Sequence, residues 1–333
     1  MFYTARIIGI GSYVPEKILS NKDLEKMVET NDEWIVERTG IEERRISKEG
    51  VETASMMAVE ASKRAIADCG INPEELDLII VASTTTNLIS PTISCVIQAE
   101  IGAKNAFGYD LNNACPGFLT AFSTVEAYFE AGLAKKALIV GTEVISNYVD
   151  WTDRGTCILF GDGAGACVLE AKEVESKEEV NTVIMHSDGV RGDCLTCEHG
   201  RQLGLMDDPE FYKKNTFSMD GKAVFKFAVT ETPKVIKEVL EKADIKKEDI
   251  DIYILHQANS RIIESIASRV GIDMNKVPMN LNKYGNTSSA SIPILMDEMK
   301  KNGMFKTTQK VVLSSFGAGV VWGAAITNID INR

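Results

Sequence analysis

The chain has 333 residues and is strongly acidic, because 36 Lys and Arg stand against 48 Asp and Glu and give a formal net charge of −12. Apolar residues make up 44% of it, which suffices for the core of one large domain or two ordinary ones and excludes a disordered or fibrous protein. The acidic balance argues against a nucleic-acid-binding protein, which needs a basic face for phosphates, but it allows a local basic patch.

The cysteine pattern and the apolar segments bear on where the protein resides. Seven scattered cysteines in so long a chain are typical of a reducing compartment. The first residues show no basic region followed by a long apolar stretch, so no signal peptide is predicted. Residues 311–329 carry no charge, but the glycines within them favour two buried strands over a membrane helix. The sequence therefore predicts a cytoplasmic protein that does not bind membranes.

Helical and strand-like segments alternate along the chain, which favours an α/β fold. In chain order we predict a helix over 53–69, a strand over 77–82, a helix over 117–131, a strand over 137–140, a helix over 223–243, a strand over 252–255, a helix over 288–301 and a strand over 311–313. The uncharged segment 311–329 is predicted to continue into a second strand after a glycine turn.

The second half of the chain repeats features of the first at offsets between 156 and 174 residues. Residues 65–77 align without a gap on 239–251, an offset of 174, and two further echoes (130–136 with 301–307, and 159–165 with 315–319) follow in the same order. They predict a duplicated α/β unit with halves 1–172 and 173–333, joined near the charged run 171–179. The loop-like segment 187–216 is long enough to suggest a function, such as covering a site.

Cys115 lies where a loop leads into an apolar helix, with Pro116 suited to the first helical position. A thiol at a helix start faces the positive end of the helix dipole, which lowers its pKa and favours the nucleophilic thiolate. The alternative is a buried packing cysteine, the usual role of a free Cys. This segment alone leaves the two interpretations about equally supported.

Two further polar residues occupy comparable positions. His256 follows a buried strand and precedes a helix, at the edge where α/β proteins place their sites, and it is one of only three histidines. Asn286 lies at another transition from loop to helix, where its alternative role is a helix N-cap. By the internal offset, His256 corresponds to Ala82, and the helix after Asn286 corresponds to the one after Cys115. If the halves pack about a pseudo-twofold axis, all three residues meet near its centre.

A cysteine, a histidine and an asparagine together indicate acyl transfer through a thioester intermediate. Papain-like hydrolases use the same three residue types in the same chain order, but the sequence lacks their signature around the cysteine and is duplicated. No metal site is predicted, because Cys194, Cys197 and His199 form a single cluster without a second pair of ligands.

Several motifs resemble those of β-ketoacyl-acyl carrier protein synthase III, a family of the thiolase superfamily, and the resemblance runs from end to end. They lie at residues 8–15, 31–41, 114–118, 152–156, 160–165, 219–226, 256–259 and 285–289. The resemblance implies a thiolase-like five-layer αβαβα fold with two duplicated halves, and a homodimer. It also implies an enzyme that needs no cofactor and whose partners are acyl-coenzyme A and malonyl-acyl carrier protein.

The reaction implied is the decarboxylative Claisen condensation that initiates type II fatty acid synthesis. The resemblance makes Cys115 the residue that takes the acyl group. His256 and Asn286 then donate hydrogen bonds to the malonyl thioester carbonyl and stabilise the enolate formed when carbon dioxide leaves. A second oxyanion hole is implied at the backbone N–H groups of Cys115 and Ala318, where the family usually has Gly in place of Ala318.

The resemblance also implies binding residues. Trp34 and Arg154 match a pair that sandwiches adenine, and an aromatic face with a stacking guanidinium suits that ligand. The remaining implied contacts to coenzyme A are Arg38, Gly221, Phe225, Asn259 and Arg261; those to the carrier protein are Lys226 and Arg261; those to the acyl group are Ser90, Ile145 and Phe160. For each charged residue alone, ordinary surface charge is the alternative.

Ser90 departs from the pattern of the family. Many members that prefer two-carbon primers carry an aromatic residue there, which closes the acyl pocket from the partner subunit, so the small Ser90 predicts room for a longer or branched primer. Three other functions stay open: a specialised acyltransferase or starter-unit synthase with the same three residues, a thiolase, and a non-catalytic binding protein of the same fold. A thiolase is disfavoured because no second cysteine lies in the final glycine-rich segment.

Overall fold

A computed structural model of the protein describes residues 2–197, 215–306 and 308–330. The strands are Phe2–Tyr13 (β1), Ile18–Ser20 (β2), Glu43–Arg45 (β3), Leu78–Ala82 (β4), Phe107–Leu111 (β5), Lys136–Glu143 (β6), Gly163–Val174 (β7), Thr182–Ser187 (β8), Leu195–Thr196 (β9), Ser218–Met219 (β10), Ile252–Leu255 (β11), Gln309–Gly317 (β12) and Val321–Ile329 (β13). The α-helices are Asn21–Leu24 (α1), Asp32–Thr39 (α2), Ala54–Cys69 (α3), Ile93–Ile101 (α4), Gly117–Glu130 (α5), Gly221–Lys242 (α6), Ser260–Val270 (α7), Leu281–Tyr284 (α8) and Ser291–Lys301 (α9). All the elements predicted from the sequence are present, with ends that differ by a few residues.

The strand pairing contains the predicted duplication. Nine strands form one mixed sheet in the order β11-β12-β13-β1-β7-β6-β4-β5, with β8 also paired to β13. In the first half β4 is parallel to β6, β6 is antiparallel to β7, and β7 is antiparallel to β1. In the second half β11, β12, β13 and β8 repeat that series of pairings. The halves join where β1 runs parallel to β13, at Ile7 and Ile329.

Successive side chains of a strand point to opposite faces of the sheet, so each face packs against a different layer of helices. In β4, Leu78 and Ile80 pack in a central core with side chains of α5 and α9, whereas Ile79 and Val81 pack outward with α3. The strand β11 behaves in the same way, because alternate residues face the central core and an outer core formed by α6 and α7. The strands of the first half and those of the second half therefore form two layers of the continuous sheet, one on each side of the central helices. The order of layers is helix, sheet, helix, sheet, helix, as predicted.

Two predicted segments remain to be placed. Residues 311–329 form the antiparallel pair β12 and β13, as expected. Among the described residues, no helix is both long and apolar enough to cross a membrane. Of the predicted loop 187–216, residues 198–214, including His199, lie outside the described residues. The rest contains a 3-10 helix, Gly189–Cys194, and the strand β9, which pairs with β10 just after the segment. The predicted boundary between the halves falls just before β7 ends at Val174.

Candidate active site

Two neighbouring cavities share Cys115 as a wall. The first, about 260 Å³ in volume, is lined by Cys115, His256 and Asn286 together, so the three predicted catalytic residues meet in one place. The second, about 410 Å³, shares Cys115, Phe160 and Leu195 with the first and is lined by Ala318 among others. The arrangement gives the thiol access to one ligand from the first cavity and room for an attached group in the second.

The backbone around Cys115 is tightly constrained. Ala114 has a φ of 48°, a left-handed conformation that is uncommon without glycine, and α5 begins two residues after Cys115. At Gly317, the end of β12 packs against this turn so closely that a Cβ atom there would lie 2.7 Å from Pro116 Cδ and 3.0 Å from Cys115 Cβ. Glycine at 317 therefore lets β12 support the position of the nucleophile.

The thiol itself differs from expectation. Cys115 remains partly exposed to the cavities, but the surrounding protein raises the pKa of its thiol to about 12 through desolvation, partly offset by a hydrogen bond with Ser288. The lowered pKa expected from the helix start is wrong for the resting protein, because burial of the thiolate outweighs the local dipole. Cys115 is therefore a thiol before the reaction, and attack requires a group that takes its proton.

His256 is buried at the end of β11, where its backbone N–H donates to the Ser314 carbonyl at 2.9 Å. Its Nδ1 lies 2.7 Å from Ser291 Oγ, and that hydroxyl oxygen also accepts the N–H of Gln257 at 3.5 Å. The hydroxyl proton is thus available to Nδ1, which favours the tautomer with the proton on Nε2. Burial lowers the pKa of His256 to about 3, so the ring is neutral and can donate from Nε2.

Asn286 is held by its own backbone and its side-chain oxygen. Its N–H donates to the Leu159 carbonyl at 2.8 Å, and its carbonyl accepts from the N–H of Gly161 at 3.0 Å. The Oδ1 atom accepts from the N–H of Ser288 at 2.8 Å. The amide oxygen is therefore occupied, which leaves Nδ2 as the donor that Asn286 offers to the first cavity. Asn286 is not the helix N-cap considered from the sequence, because Thr287 occupies that position before the 3-10 helix Ser288–Ala290. Its side chain instead closes a turn with Ser288, which fixes the orientation of the amide.

Known protein families and individual proteins match most of the chain. Residues 109–189 match the family model described as 3-oxoacyl-[acyl-carrier-protein (ACP)] synthase III, and residues 240–329 match the model for its C-terminal part. A β-ketoacyl-[acyl-carrier-protein] synthase III of Clostridium acetobutylicum is 46% identical over 97% of this chain and 98% of that protein. The corresponding protein of Lactococcus lactis subsp. lactis is 43% identical over 98% of this chain and 99% of its own length. The chain belongs to the synthase III family.

Solved structures give the same assignment. The 3-oxoacyl-[acyl-carrier-protein] synthase III of Aquifex aeolicus superposes with a TM-score of 0.87 at 41% identity, over 97% of this chain and 99% of that one. The priming β-ketosynthase of the R1128 polyketide pathway superposes with a TM-score of 0.93 at 34% identity, over 100% of this chain and 98% of that one. The thiolase-like fold predicted for this member of the synthase III family is therefore confirmed.

The residues expected to bind coenzyme A and the carrier protein fall into three groups. Arg38, Gly221, Phe225 and Asn259 line the first cavity, and Asn259 Nδ2 donates to the Arg38 carbonyl at 2.9 Å. Trp34 lies outside this lining, with the guanidinium carbons of Arg38 and Arg154 at 4.6 and 5.2 Å from its ring centroid. At that distance Arg154 stacks on Trp34 itself, so an aromatic ring could enter between them only if Arg154 moved. Arg261 and Lys226 are exposed, next in sequence to cavity residues.

The structure brings together two of the three residues expected to form the acyl pocket. Ile145 and Phe160 line the second cavity beside Cys115, along with Tyr148 and Phe217. Ser90 is exposed at the surface and lines neither cavity that adjoins Cys115 in its own chain. Any contact of Ser90 with an acyl group would therefore have to be made in a partner subunit, as the sequence comparison implied.

The sequence analysis did not single out Glu143, Ser288 or Ser291. Ser291 fixes the ring of His256, and Ser288 touches both Asn286 and Cys115. Glu143 ends the apolar strand β6 yet is fully buried. A signal for Glu143 was present, because it lies between the apolar residues 137–140 and 144–145, and a charged residue buried in such a segment needs a specific partner.

The described residues contain no cluster of three or more His, Cys, Asp or Glu side chains able to hold a metal ion. The predicted cluster at Cys194, Cys197 and His199 is only partly covered, because His199 lies outside the described residues. Cys194 lines the first cavity and Cys197 the second.

Proposed function

We propose that this chain catalyses the decarboxylative Claisen condensation that initiates type II fatty acid synthesis. The observation that carries the proposal is the meeting of Cys115, His256 and Asn286 in one cavity, with a second cavity directly beyond the thiol. The substrates proposed are acyl-coenzyme A and malonyl-acyl carrier protein, and the products are 3-oxoacyl-acyl carrier protein, coenzyme A and carbon dioxide. Each step is an acyl transfer, a decarboxylation or a proton transfer, so the proposal requires no cofactor.

In the first half-reaction the Cys115 sulfur attacks the carbonyl carbon of acyl-coenzyme A. The tetrahedral oxyanion is stabilised by the backbone N–H groups of Cys115 and Ala318, and its collapse expels the thiolate of coenzyme A. Ala318 is compatible with this role because its φ is not positive, unlike that of Ala114, Asp244 and Ser288 among the described non-glycine residues. Its Cβ therefore causes no backbone strain. The acyl group then occupies the second cavity, between Ile145 and Phe160.

In the second half-reaction malonyl-acyl carrier protein enters the first cavity. The Nε2–H of His256 and the Nδ2–H of Asn286 donate to the thioester carbonyl oxygen, where negative charge develops as carbon dioxide leaves. Both donors are neutral and fixed beforehand, and a preorganised donor of this kind stabilises a transition state by about 2.7–4 kcal/mol. The enolate carbon then attacks the acyl-Cys115 carbonyl, the thiolate of Cys115 leaves, and the new carbon–carbon bond forms.

Two features support the proposed partners. Lys226 and Arg261 are exposed cations beside the first cavity, which suits an acidic carrier protein despite the net charge of −12, because steering depends on the local field.

The strand β5 ends the sheet, and Phe107 on it is 62% exposed. An apolar edge strand of this kind suits pairing with a second copy, so we propose a homodimer. The cysteine pattern supports a cytoplasmic location.

The first experiment is to incubate the protein with acetyl-, C4–C8 and branched acyl-coenzyme A and to measure its intact mass. We expect one acyl adduct, which is lost in Cys115→Ala and kept in Cys95→Ala, because Cys95 is exposed and outside both cavities. The small Ser90 leads us to expect that longer or branched primers load as well as acetyl. An adduct that survives in Cys115→Ala would refute the proposed nucleophile, and a tenfold preference for acetyl would refute the argument from Ser90.

A second candidate is a starter-unit synthase of specialised metabolism with the same three residues. The similarity of the fold to that of the R1128 priming β-ketosynthase supports this candidate. Both candidates give the acyl adduct, so the second half-reaction must separate them. If the acylated protein converts malonyl-acyl carrier protein of fatty acid synthesis to the 3-oxoacyl product, the first candidate stands. If it accepts only a different carrier, the second replaces it.

A further inference from the structure

A carboxylate with no assigned role lies behind the proposed nucleophile. Glu143, at the end of β6, has no exposed surface. It accepts hydrogen bonds from the N–H and hydroxyl of Thr84 at 3.1 and 3.0 Å and from the hydroxyl of Thr85 at 2.7 Å. The hydroxyls of Ser288 and Ser289 lie 3.2 and 3.0 Å from its Oε1 atom.

These partners distinguish Glu143 from a structural ion pair. In the described part of the chain they are hydroxyls and a backbone N–H, with no basic side chain among them. Hydroxyl protons can be redirected, so the group can be satisfied both as a carboxylate and as a carboxylic acid. Burial also raises the pKa of Glu143. A buried acid with this donor set is suited to bind and release a proton.

Ser288 connects this carboxylate to the reacting sulfur. Its hydroxyl donates to Glu143 Oε1 at 3.2 Å, Ser288 lines the second cavity together with Cys115, and its interaction with the Cys115 thiol lowers the pKa of that thiol. Its backbone is in the left-handed region, with a φ of 49°, and its N–H is held by Asn286 Oδ1. The position of Ser288 is therefore fixed by the same loop that fixes Asn286, and its hydroxyl links the cavity of Cys115 to the carboxylate of Glu143.

The proton of Cys115 needs such a path because His256 is committed elsewhere. Its Nδ1 faces the hydroxyl of Ser291, and its Nε2 must keep a proton to donate to the malonyl thioester. An imidazole in that tautomer has no free lone pair with which to accept the thiol proton. The geometry thus separates the two tasks between different groups.

We propose that Glu143 takes the proton of the Cys115 thiol through the hydroxyl of Ser288 when the thiol attacks an acyl thioester. The thiol gives its proton to Ser288 Oγ, the hydroxyl proton passes to Glu143 Oε1, and the sulfur bonds to the acyl carbon. Reversal of this transfer supplies a proton to the departing thiolate, so the carboxylate is restored and atoms and charge balance. The proposal rests on the proposed function only for the identity of the electrophile.

Charge conservation supports this route. Two negative charges close together in a buried site are strongly disfavoured, and Glu143 is one of the causes that raise the pKa of Cys115. Transfer within the pair keeps a single negative charge at every stage, whereas loss of the proton to solvent would leave two. The pair therefore titrates as a unit, and over a range of pH a constant fraction of molecules carries the thiolate beside a protonated Glu143.

The constant fraction of thiolate over a range of pH can be measured and tests the proposal. The rate of Cys115 alkylation by iodoacetamide, measured from pH 6 to 9, reports the thiolate without any acyl substrate. Besides Cys115 itself, the titratable or charged described residues lining the two cavities are Arg38, Tyr148, Cys194, Cys197 and His256. We expect a pH-independent plateau in the wild type. In Glu143→Gln, whose folding is checked by circular dichroism, we expect a rate that rises about tenfold per pH unit across that range.

Two serine variants provide a matched pair. Both hydroxyls hydrogen-bond to Glu143 Oε1, but Ser288 also lines the second cavity with Cys115, whereas the hydroxyl of Ser289 donates to the Ala82 carbonyl at 3.0 Å. We expect Ser288→Ala to lower the plateau about tenfold or more, since general-base effects typically reach 10²–10⁴. Ser289→Ala should keep the plateau. Equal rates in the two variants, or a plateau retained in Glu143→Gln, would overturn the proposal.

The acyl-adduct assay separates this proposal from the proposed function. If acyl-coenzyme A loads normally but the alkylation profile is the same in wild type and Glu143→Gln, the proton path fails and the function stands. If the plateau is lost in Glu143→Gln while no acyl-coenzyme A loads the wild type, the path stands and the proposed function fails.

Discussion

At the scale of single residues, His256 links the chemistry of the site to the stability of the fold. Burial lowers its pKa from 6.5 to about 3. Below pH 6.5 the unfolded chain therefore binds a proton at this residue that the native protein does not. It follows that the free energy of unfolding falls, by up to about 1.4 kcal/mol per pH unit, as the pH drops from 6.5 towards 3. Above pH 6.5 this penalty is absent.

Replacement of the ring by an amide isolates this contribution. Burial raises the pKa of Glu126, Glu143 and Asp162, and we expect these residues to change the free energy of unfolding at low pH equally in the wild type and in His256→Gln. The unfolding free energy by urea denaturation should therefore fall more steeply between pH 6.5 and 5.5 in the wild type, by about 1 kcal/mol. Parallel curves for the two proteins would mean that His256 is protonated in the native state.

At the scale of elements, α6 runs from the first cavity to the surface. Gly221 and Phe225 line the cavity, Lys226 is exposed beside them, and Lys237 is exposed three turns further along the same helix. A cation at the mouth of the site should speed the association of an acidic carrier protein, whereas a distant one should not.

Reversal of charge on this helix tests the expected carrier contact. We expect Lys226→Glu to lower kcat/KM for malonyl-acyl carrier protein about tenfold at low salt, with the difference shrinking as salt is added. Acyl loading from acyl-coenzyme A, followed by intact mass, should stay normal. Lys237→Glu carries the same charge change and serves as the control; an equal loss in both variants would show that net charge, and not the place of Lys226, governs the encounter.

The elements also show what a sequence can and cannot predict. The echo of 65–77 in 239–251 predicted the repeated helix, turn and strand, and with them the position of His256, because these patterns depend on residues close in sequence. The surroundings of Glu143 depend on segments far apart in the chain, near residues 84 and 288, that meet only in the folded state. The pKa of Cys115 followed the same rule: the helix start was visible in the sequence, but the burial that outweighs it was not.

At the scale of the whole molecule, one end of the sheet is left open. The edge strand β5 pairs with β4 on one side only, and its Phe107 is 62% exposed. Ile89, beside Ser90, is 76% exposed. Open apolar edges of this kind promote pairing between chains. A dimer formed here would cover both residues and could bring Ser90 of one subunit towards the site of the other, which its position in a single chain does not allow.

A charge on that edge tests the dimer. We expect Phe107→Lys to convert a dimer into a folded monomer, because a buried lysine without a partner would oppose pairing of the two edges. Size-exclusion chromatography with light scattering measures the mass directly. Met304→Lys is the matched control, since Met304 is 48% exposed in the turn before β12, near the opposite end of the sheet. A monomeric wild type would refute the dimer, and a Phe107→Lys protein of unchanged dimer mass would place its interface away from β5.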